Sequence, residues 1–460
     1  MKNLKVSGQL DVQTTSARNV IDFLTRGTPN LGAQTASNND RIGHAHTRTM
    51  VSADWDLLDD VHARITLVKG VPTNERVYGG GAESLDNVTA RTLVQEAHVK
   101  IDKLMGLFDT TIGRQFYGEA GDLIAYYGPR DNYGLTVAAL DAFRFDWKGE
   151  HMMVTGLAGR MSDTNNLAAA GNAAASVDVR GLIASCNQHE MVKPTVYLYN
   201  QLTHAGGSLG NNTPTVNTGA NGKNTNLYVI GAKAKITAGG LNAHVEFAKN
   251  FGDDRTTYIS NALGPNTGRY TGYAILGKLG YKADVQDVAA FNPWGEFGMG
   301  SGDANFAHAG NGNFQSIATD YRPGGIYGRF DNGATQALAS GITTGGTSIG
   351  AASNGLSNRV IWGAGIKATP AAINKLTAGL AYYRYAFHRA APTAAHSLKP
   401  SRNIGSEVDV TAEWKHSDNV GINVTLGSFL PGAYIADMRA LTHRAMNPAT
   451  MAAADVKIRF

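Results

Sequence analysis

The stretch Ala138–Arg160, AALDAFRFDWKGEHMMVTGLAGR, decides how the rest of the chain is read. Its first limb puts Phe143, Phe145 and Trp147 at every second position and Arg144, Asp146 and Lys148 between them. Side chains alternate across a β-strand, so this limb has one apolar face and one ionic face. Lys148-Gly149 supplies a short polar turn, with a glycine free to take a positive φ, and a second limb follows. The stretch is a hairpin, and its pattern recurs along the whole chain.

Working outward, Leu4, Val6, Leu10 and Val12 alternate with Lys5, Gln9, Asp11 and Gln13. His44, His46, Arg48 and Asp54 oppose Ala45, Thr47, Val51 and Ala53, and His62 and Arg64 oppose Val61, Ala63 and Ile65. The same alternation appears at Glu96–Asp102, Val177–Ile183, Val192–Leu202, Tyr228–Ile236, Leu241–Phe247, Tyr273–Tyr281 and Val360–Ile366. It closes with Glu407–Trp414, Val420–Leu426 and Ala454–Phe460. Around Arg114 the face is ambiguous and a bulge is expected. In Val177–Ile183 the pattern assigns Val177 and Val179 outward and Asp178 and Arg180 inward.

Short turns and long polar segments alternate between the strands. The long ones are 15–40, 70–93, 117–137, 203–225, 251–269, 301–357, 388–402 and 430–451. About eighteen strands result, near the ~9–11 residues that a tilted strand needs to cross a bilayer. The reading is an all-β chain, 1–460, folded as a single closed antiparallel transmembrane β-barrel with short periplasmic turns and long extracellular loops. Trp55, Trp147, Tyr281 and Trp414 fall beside short turns, where an interfacial aromatic girdle belongs. A soluble β-helix or propeller is disfavoured because no fixed-period repeat is visible.

Composition agrees. The 460 residues are 43% hydrophobic, with 55 Gly and 13 Pro, and the mean hydropathy is −0.21. No apolar run is long enough for a membrane helix, and barrel strands need none. The single Cys186 excludes an internal disulfide, and a net charge of +4 is too small and scattered for nucleic acid binding. The N-terminus MKNLKVSGQLDV enters the strand pattern at once and reads as a mature chain whose export signal is gone. The expected location is the bacterial outer membrane, as an integral protein.

Three stretches carry a family resemblance: Thr111–Gly118 (TIGRQFYG), Leu140–Asp146 (LDAFRFD) and Gly405–Gly432 (GSEVDVTAEWKHSDNVGINVTLGSFLPG). They resemble segments of the alginate-export family of outer-membrane porins. The resemblance implies an eighteen-stranded monomeric barrel passing anionic polysaccharide or other solutes.

The inner-face pattern proposes Arg48, Arg64, Lys100, Arg144, Arg160, Arg180, Lys193, Lys233, Lys235, Lys278 and Lys282 as pore-lining residues. Unpaired, they would favour anions; paired with Asp102, Asp146, Asp178 or Glu246, they would not. Glu407, Asp409 and Glu413 are expected to pair with Lys457 and Arg459 across the barrel seam. His44 and His46 share a face, with His62 expected nearby, but no third ligand completes a metal set. Gly252-Asp253-Asp254 and Ser301/Asp303 are candidate calcium contacts in the loops. No catalytic residue, metal or cofactor is assigned, and the reading is not an enzyme. The expected partners are membrane lipid and diffusing solutes, anionic sugars among them, for a monomer with a trimer as the alternative. Two functions compete, ahead of an outer-membrane enzyme as a third. One is a passive or substrate-selective channel; the other is a plugged structural or adhesive barrel that displays its loops. Whether 301–357 and 430–451 fold inward separates them.

Overall fold

Phe143, Phe145 and Trp147 are each more than one-third exposed, while Asp146, on the opposite face, is buried. A face of exposed aromatics backed by a face of buried charge needs lipid outside and polar groups inside, and the computed structural model of the chain provides both. It describes residues 2–20, 41–69, 92–161, 177–203, 224–254, 268–303, 310–330, 355–390, 401–434 and 447–460. The central parts of the loops expected at 15–40, 70–93, 203–225, 251–269, 388–402 and 430–451 lie outside these residues, as do 304–309 and 331–354 of the 301–357 segment.

Eighteen strands form one antiparallel sheet. The first nine are β1 (Lys2–Arg18), β2 (Arg41–Leu58), β3 (Val61–Lys69), β4 (Leu93–Leu104), β5 (Phe108–Gln115), β6 (Leu140–Lys148), β7 (Met152–Met161), β8 (Val177–Cys186) and β9 (Val192–Thr203). Then come β10 (Thr225–Ala238), β11 (Leu241–Asp253), β12 (Tyr273–Tyr281, resumed at Ala283–Val285), β13 (Ala289–Gly300), β14 (Arg359–Pro370), β15 (Leu376–Phe387), β16 (Asn403–Lys415), β17 (Val420–Pro431) and β18 (Ala449–Arg459). Each strand pairs with the next, and β1 pairs with β18 in the register Leu10↔Ile458, so the sheet closes and leaves no edge. Closure satisfies the backbone within the sheet, as hydrocarbon requires.

The register fixes the faces. Val408, Val410, Leu380, Leu182 and Val245 are outward and well exposed, while Glu407 and Asp409 between them are buried in the lumen. The bulge expected near Arg114 is absent: β4 and β5 stay in register from Ala97↔Arg114 to Ile101↔Thr110, and the irregularity falls between Ile101 and Leu104, beside the short turn. Gly113 is instead a close approach, with a φ of +122° and no room for a Cβ, which would stand 2.3 Å from the Ala97 carbonyl oxygen.

One strand departs from the reading. Arg180 pairs with Ala158, and Ala158 pairs with the outward Phe143, so Arg180 faces outward. Asp178 and Arg160 stand on the same outer face, one pair nearer the long-loop end. The inward assignment of Arg160 and Arg180 is therefore corrected. Val177 and Val179 turn inward and are buried because the lumen beside them is filled with apolar side chains. In the sequence the strand looks inverted.

Candidate functional site

The filling comes from two connections that enter the barrel. The segment 117–137, between β5 and β6, meets 310–330, between β13 and β14. Ile317 and Ala318 both donate backbone hydrogen bonds to the Ile124 carbonyl, and Tyr126 N–H returns one to Ala318. Tyr133 N–H donates to Arg329, and Asp320 N–H to Asp122. Leu123, Ile124, Tyr127, Phe314, Ile326 and Phe330 are buried where these segments meet the wall. The apolar core thus lies inside the barrel rather than in its wall. The sequence leaves open whether 301–357 folds inward or outward, and it reads 117–137 only as a long extracellular loop. The signal was nonetheless present, because Leu123–Tyr127 is an apolar run with no alternation.

Charged side chains of the wall hold the segments. Arg48, about 1% exposed, pairs with Asp11 at 2.6 Å and donates to the carbonyls of Arg130 and Leu135 at 2.8 and 3.1 Å. Glu407 accepts from Ile326 N–H at 2.5 Å and Tyr327 N–H at 3.1 Å, and Asp409 from Gly325 N–H at 2.8 Å. Gly324 makes this approach feasible: its φ is +86° and a Cβ would fall 2.2 Å from the Tyr385 hydroxyl. Arg329 pairs with Asp455 at 2.5 Å, and Asp131 with Lys457 at 2.6 Å. These contacts replace the seam expected from Glu407, Asp409, Lys457 and Arg459. The two acids grip backbone of the inserted segment, and Glu413 pairs instead with Lys367 at 2.7 Å.

The basic residues named from the sequence separate into groups. Arg64 lies 3.1 Å from Glu96, Lys100 2.5 Å from Asp102, Arg144 2.9 Å from Asp146 and Lys233 2.5 Å from Asp122. Lys235 pairs with Glu119, and Lys282 with Asp284 at 3.5 Å near the short-turn end of β12. Lys278 stands 5.0 Å over the Tyr321 ring. Lys193 is exposed at the short-turn end, opposite Lys235 on β10. Among the described inner-face positions most of the basic charge is therefore balanced locally. Burial foremost pushes the phenols of Tyr127, Tyr133 and Tyr321 above their ordinary value, so they remain neutral.

Below the inserted segments a cavity of about 850 Å³ remains. It reaches the short-turn end at Ser417–Asn419 and is lined by Lys278, Glu296, Tyr321, Arg322, Arg329, Tyr383 and Asp455 among others. Both signs of charge and two phenols face it.

The outward aromatics Trp147 and Tyr281 are exposed, and Trp55 and Trp414 share their outer face, one to three residues from short turns. Trp294, by contrast, faces the lumen and packs 5.7 Å from Tyr383. His46 and His44 meet Tyr133 at ring distances of 4.6 and 6.1 Å. His62 is not near them: it pairs with Asp56 at 2.6 Å beside a short turn. Ten residues of β2 separate Asp56 from His46, about 33 Å of strand. Among the described residues no group of three metal-ligating side chains occurs. The loop candidates have protein partners, since Asn311 donates to Asp254 at 2.8 Å and Gly312 N–H to Asp303 at 3.1 Å.

No protein-family model matches the chain, and no curated protein matches it in sequence. Among solved structures it resembles OccK8 (OprE) of Pseudomonas aeruginosa, with a TM-score of 0.55 over 100% of this chain and 98% of that one at 10% identity. The fold is that of an outer-membrane barrel protein. OpdK of the same organism gives a TM-score of 0.53 at 10% identity, over 99% of this chain and 98% of its own. OprD gives 0.52 at 10% identity, over 100% and 94%. At such identities the likeness carries the architecture alone, a closed antiparallel barrel of eighteen strands.

Proposed function

We propose that the chain is a passive, constricted channel for small solutes, weakly selective between anions and cations. The observation that carries this is the pair of inserted segments, which leave a cavity lined by both signs of charge and open toward the short-turn end, while balanced ion pairs cover much of the inner wall. Local pairing cancels the field that a bare row of arginines would project, and salt screens the remainder beyond ~10 Å at 0.1 M. One chain closes its own barrel, so each chain forms a complete pore whether the assembly is a monomer or a trimer.

Acidic oligosaccharide is the finer reading. The resemblance to alginate-export porins supports it; Arg322, Arg329 and Lys457 line the cavity, but each is paired with an aspartate. The constriction weighs against a long polymer. Reversal potential under a salt gradient tests the main reading: a value near zero is expected, and strong anion preference favours the acidic-sugar reading. Blocking of the current by short uronate oligomers, added to one side only, would strengthen that second reading further. A barrel that conducts nothing favours the plugged, loop-displaying alternative.

A further inference from the structure

The corrected face of β8 leaves a basic patch on the outside of the barrel. Along the long-loop end of β5–β8 the outward row runs Arg114, Asp141, Arg160, Asp178, each paired across the sheet with the next. Adjacent strands lie ~4.8 Å apart, so the row is about three strand spacings wide. Arg114 is 3.0 Å from Asp141, and Arg160 2.8 Å from Asp178. Arg180 sits one pair nearer the middle of the membrane, level with Ala158 and with the exposed Phe143. It is exposed, and among the described residues it makes no ion pair or hydrogen bond. Three arginines and two aspartates leave the patch with one net positive charge.

An unpartnered guanidinium on the lipid side is costly in hydrocarbon. Phe143, level with it, and Leu182, two residues nearer the short-turn end, are exposed apolar neighbours on the same face. The long-loop end of such barrels faces the cell exterior, where the outer leaflet presents phosphates on glycolipid headgroups. We infer that Arg180, with Arg114 and Arg160 above it, forms a docking surface for the phosphorylated headgroup of an outer-leaflet glycolipid. The aspartates orient the two upper guanidiniums, and Arg180 supplies charge that no neighbouring carboxylate cancels. Arginine suits this task because its planar fork binds phosphate oxygens bidentately. The adjoining Phe143 and Leu182 would lie along the acyl chains.

The test is native mass spectrometry of the detergent-solubilised full chain, titrated with bisphosphorylated lipid A and, separately, with phosphatidylglycerol. Variants are Arg180→Ala, Arg180→Lys and the triple Arg114→Gln/Arg160→Gln/Arg180→Gln, each confirmed as a folded barrel by heat-modifiable migration. Lipid A should bind the parent chain more tightly than phosphatidylglycerol does. Arg180→Ala should weaken lipid A about tenfold, as the loss of one charge-assisted contact implies. Arg180→Lys should restore part of that loss, and the triple variant should lose more. Unchanged lipid A affinity in the triple variant overturns the inference. So does an equal dependence of phosphatidylglycerol on Arg180, which would make the patch a general anionic-lipid contact.

Discussion

Arg48 and Arg64 occupy equivalent-looking positions in the sequence, yet the structure gives them different weights. Arg48 is fully enclosed with Asp11 and also holds the backbone of 130–135. Removing one member of such a pair leaves a buried charge uncompensated, at a cost of ~3–5 kcal/mol. Arg64 is more than one-third exposed, and its pairing contributes at most ~1 kcal/mol. Arg48→Ala should therefore lower the thermal unfolding midpoint far more than Arg64→Ala, as read by heat-modifiable gel migration. On β16, Val410 faces lipid and Thr411 faces the lumen, opposite Leu380 and Gly379 respectively. An arginine on the lipid face near mid-membrane costs ~2–4 kcal/mol. Val410→Arg should cut the folding yield in lipid while Thr411→Arg leaves it nearly intact; equal yields would contradict the face assignment. The lumen or lipid side of most residues was legible from alternation alone. It was not legible for Val177–Arg180, because an apolar filling inside the barrel reverses the usual meaning of an apolar side chain.

At the scale of elements, the clamps on 310–330 and 117–137 should be separable. Glu407→Gln replaces one of the two carboxyl oxygens that accept backbone N–H groups with an NH2 donor while nearly keeping the shape, and Gly324→Val pushes a branched side chain into Tyr385 and Glu407. Both variants should loosen the inserted segment, giving larger and noisier conductance steps from a barrel of unchanged strand content. The Asp131–Lys457 clamp carries a pH signature. Burial alone raises the Asp131 carboxyl, but Lys457 and Arg48 outweigh it and hold the group below its ordinary value. A depressed carboxylate contributes fully above about pH 4, and the contribution fades only as pH falls below that. Channel noise from this clamp should match at pH 7 and pH 5, and Asp131→Asn should produce at pH 7 the loosening that the parent chain shows only in stronger acid. The clamps themselves could not be read from the chain. Glu407 and Asp409 looked like partners for the basic strand next to them, and nothing local said that a segment some eighty residues earlier would take them.

For the whole molecule, the fold was the most legible part: strand alternation, short turns against long loops, and outward aromatics each pointed to the same closed barrel. The lumen was the least legible, since its contents depend on two connections returning through the barrel, a long-range feature that alternation does not encode. That return is also the central claim, because it makes a wide barrel into a narrow channel. The most direct test is single-channel recording in a planar bilayer of the parent chain and of a variant in which residues 312–328 are replaced by a short Gly/Ser linker. The parent chain should show small, resolvable steps, and the linker variant, migrating as the same folded barrel, should show steps several-fold larger. Identical steps from both chains, or no steps from the parent at all, would contradict the account.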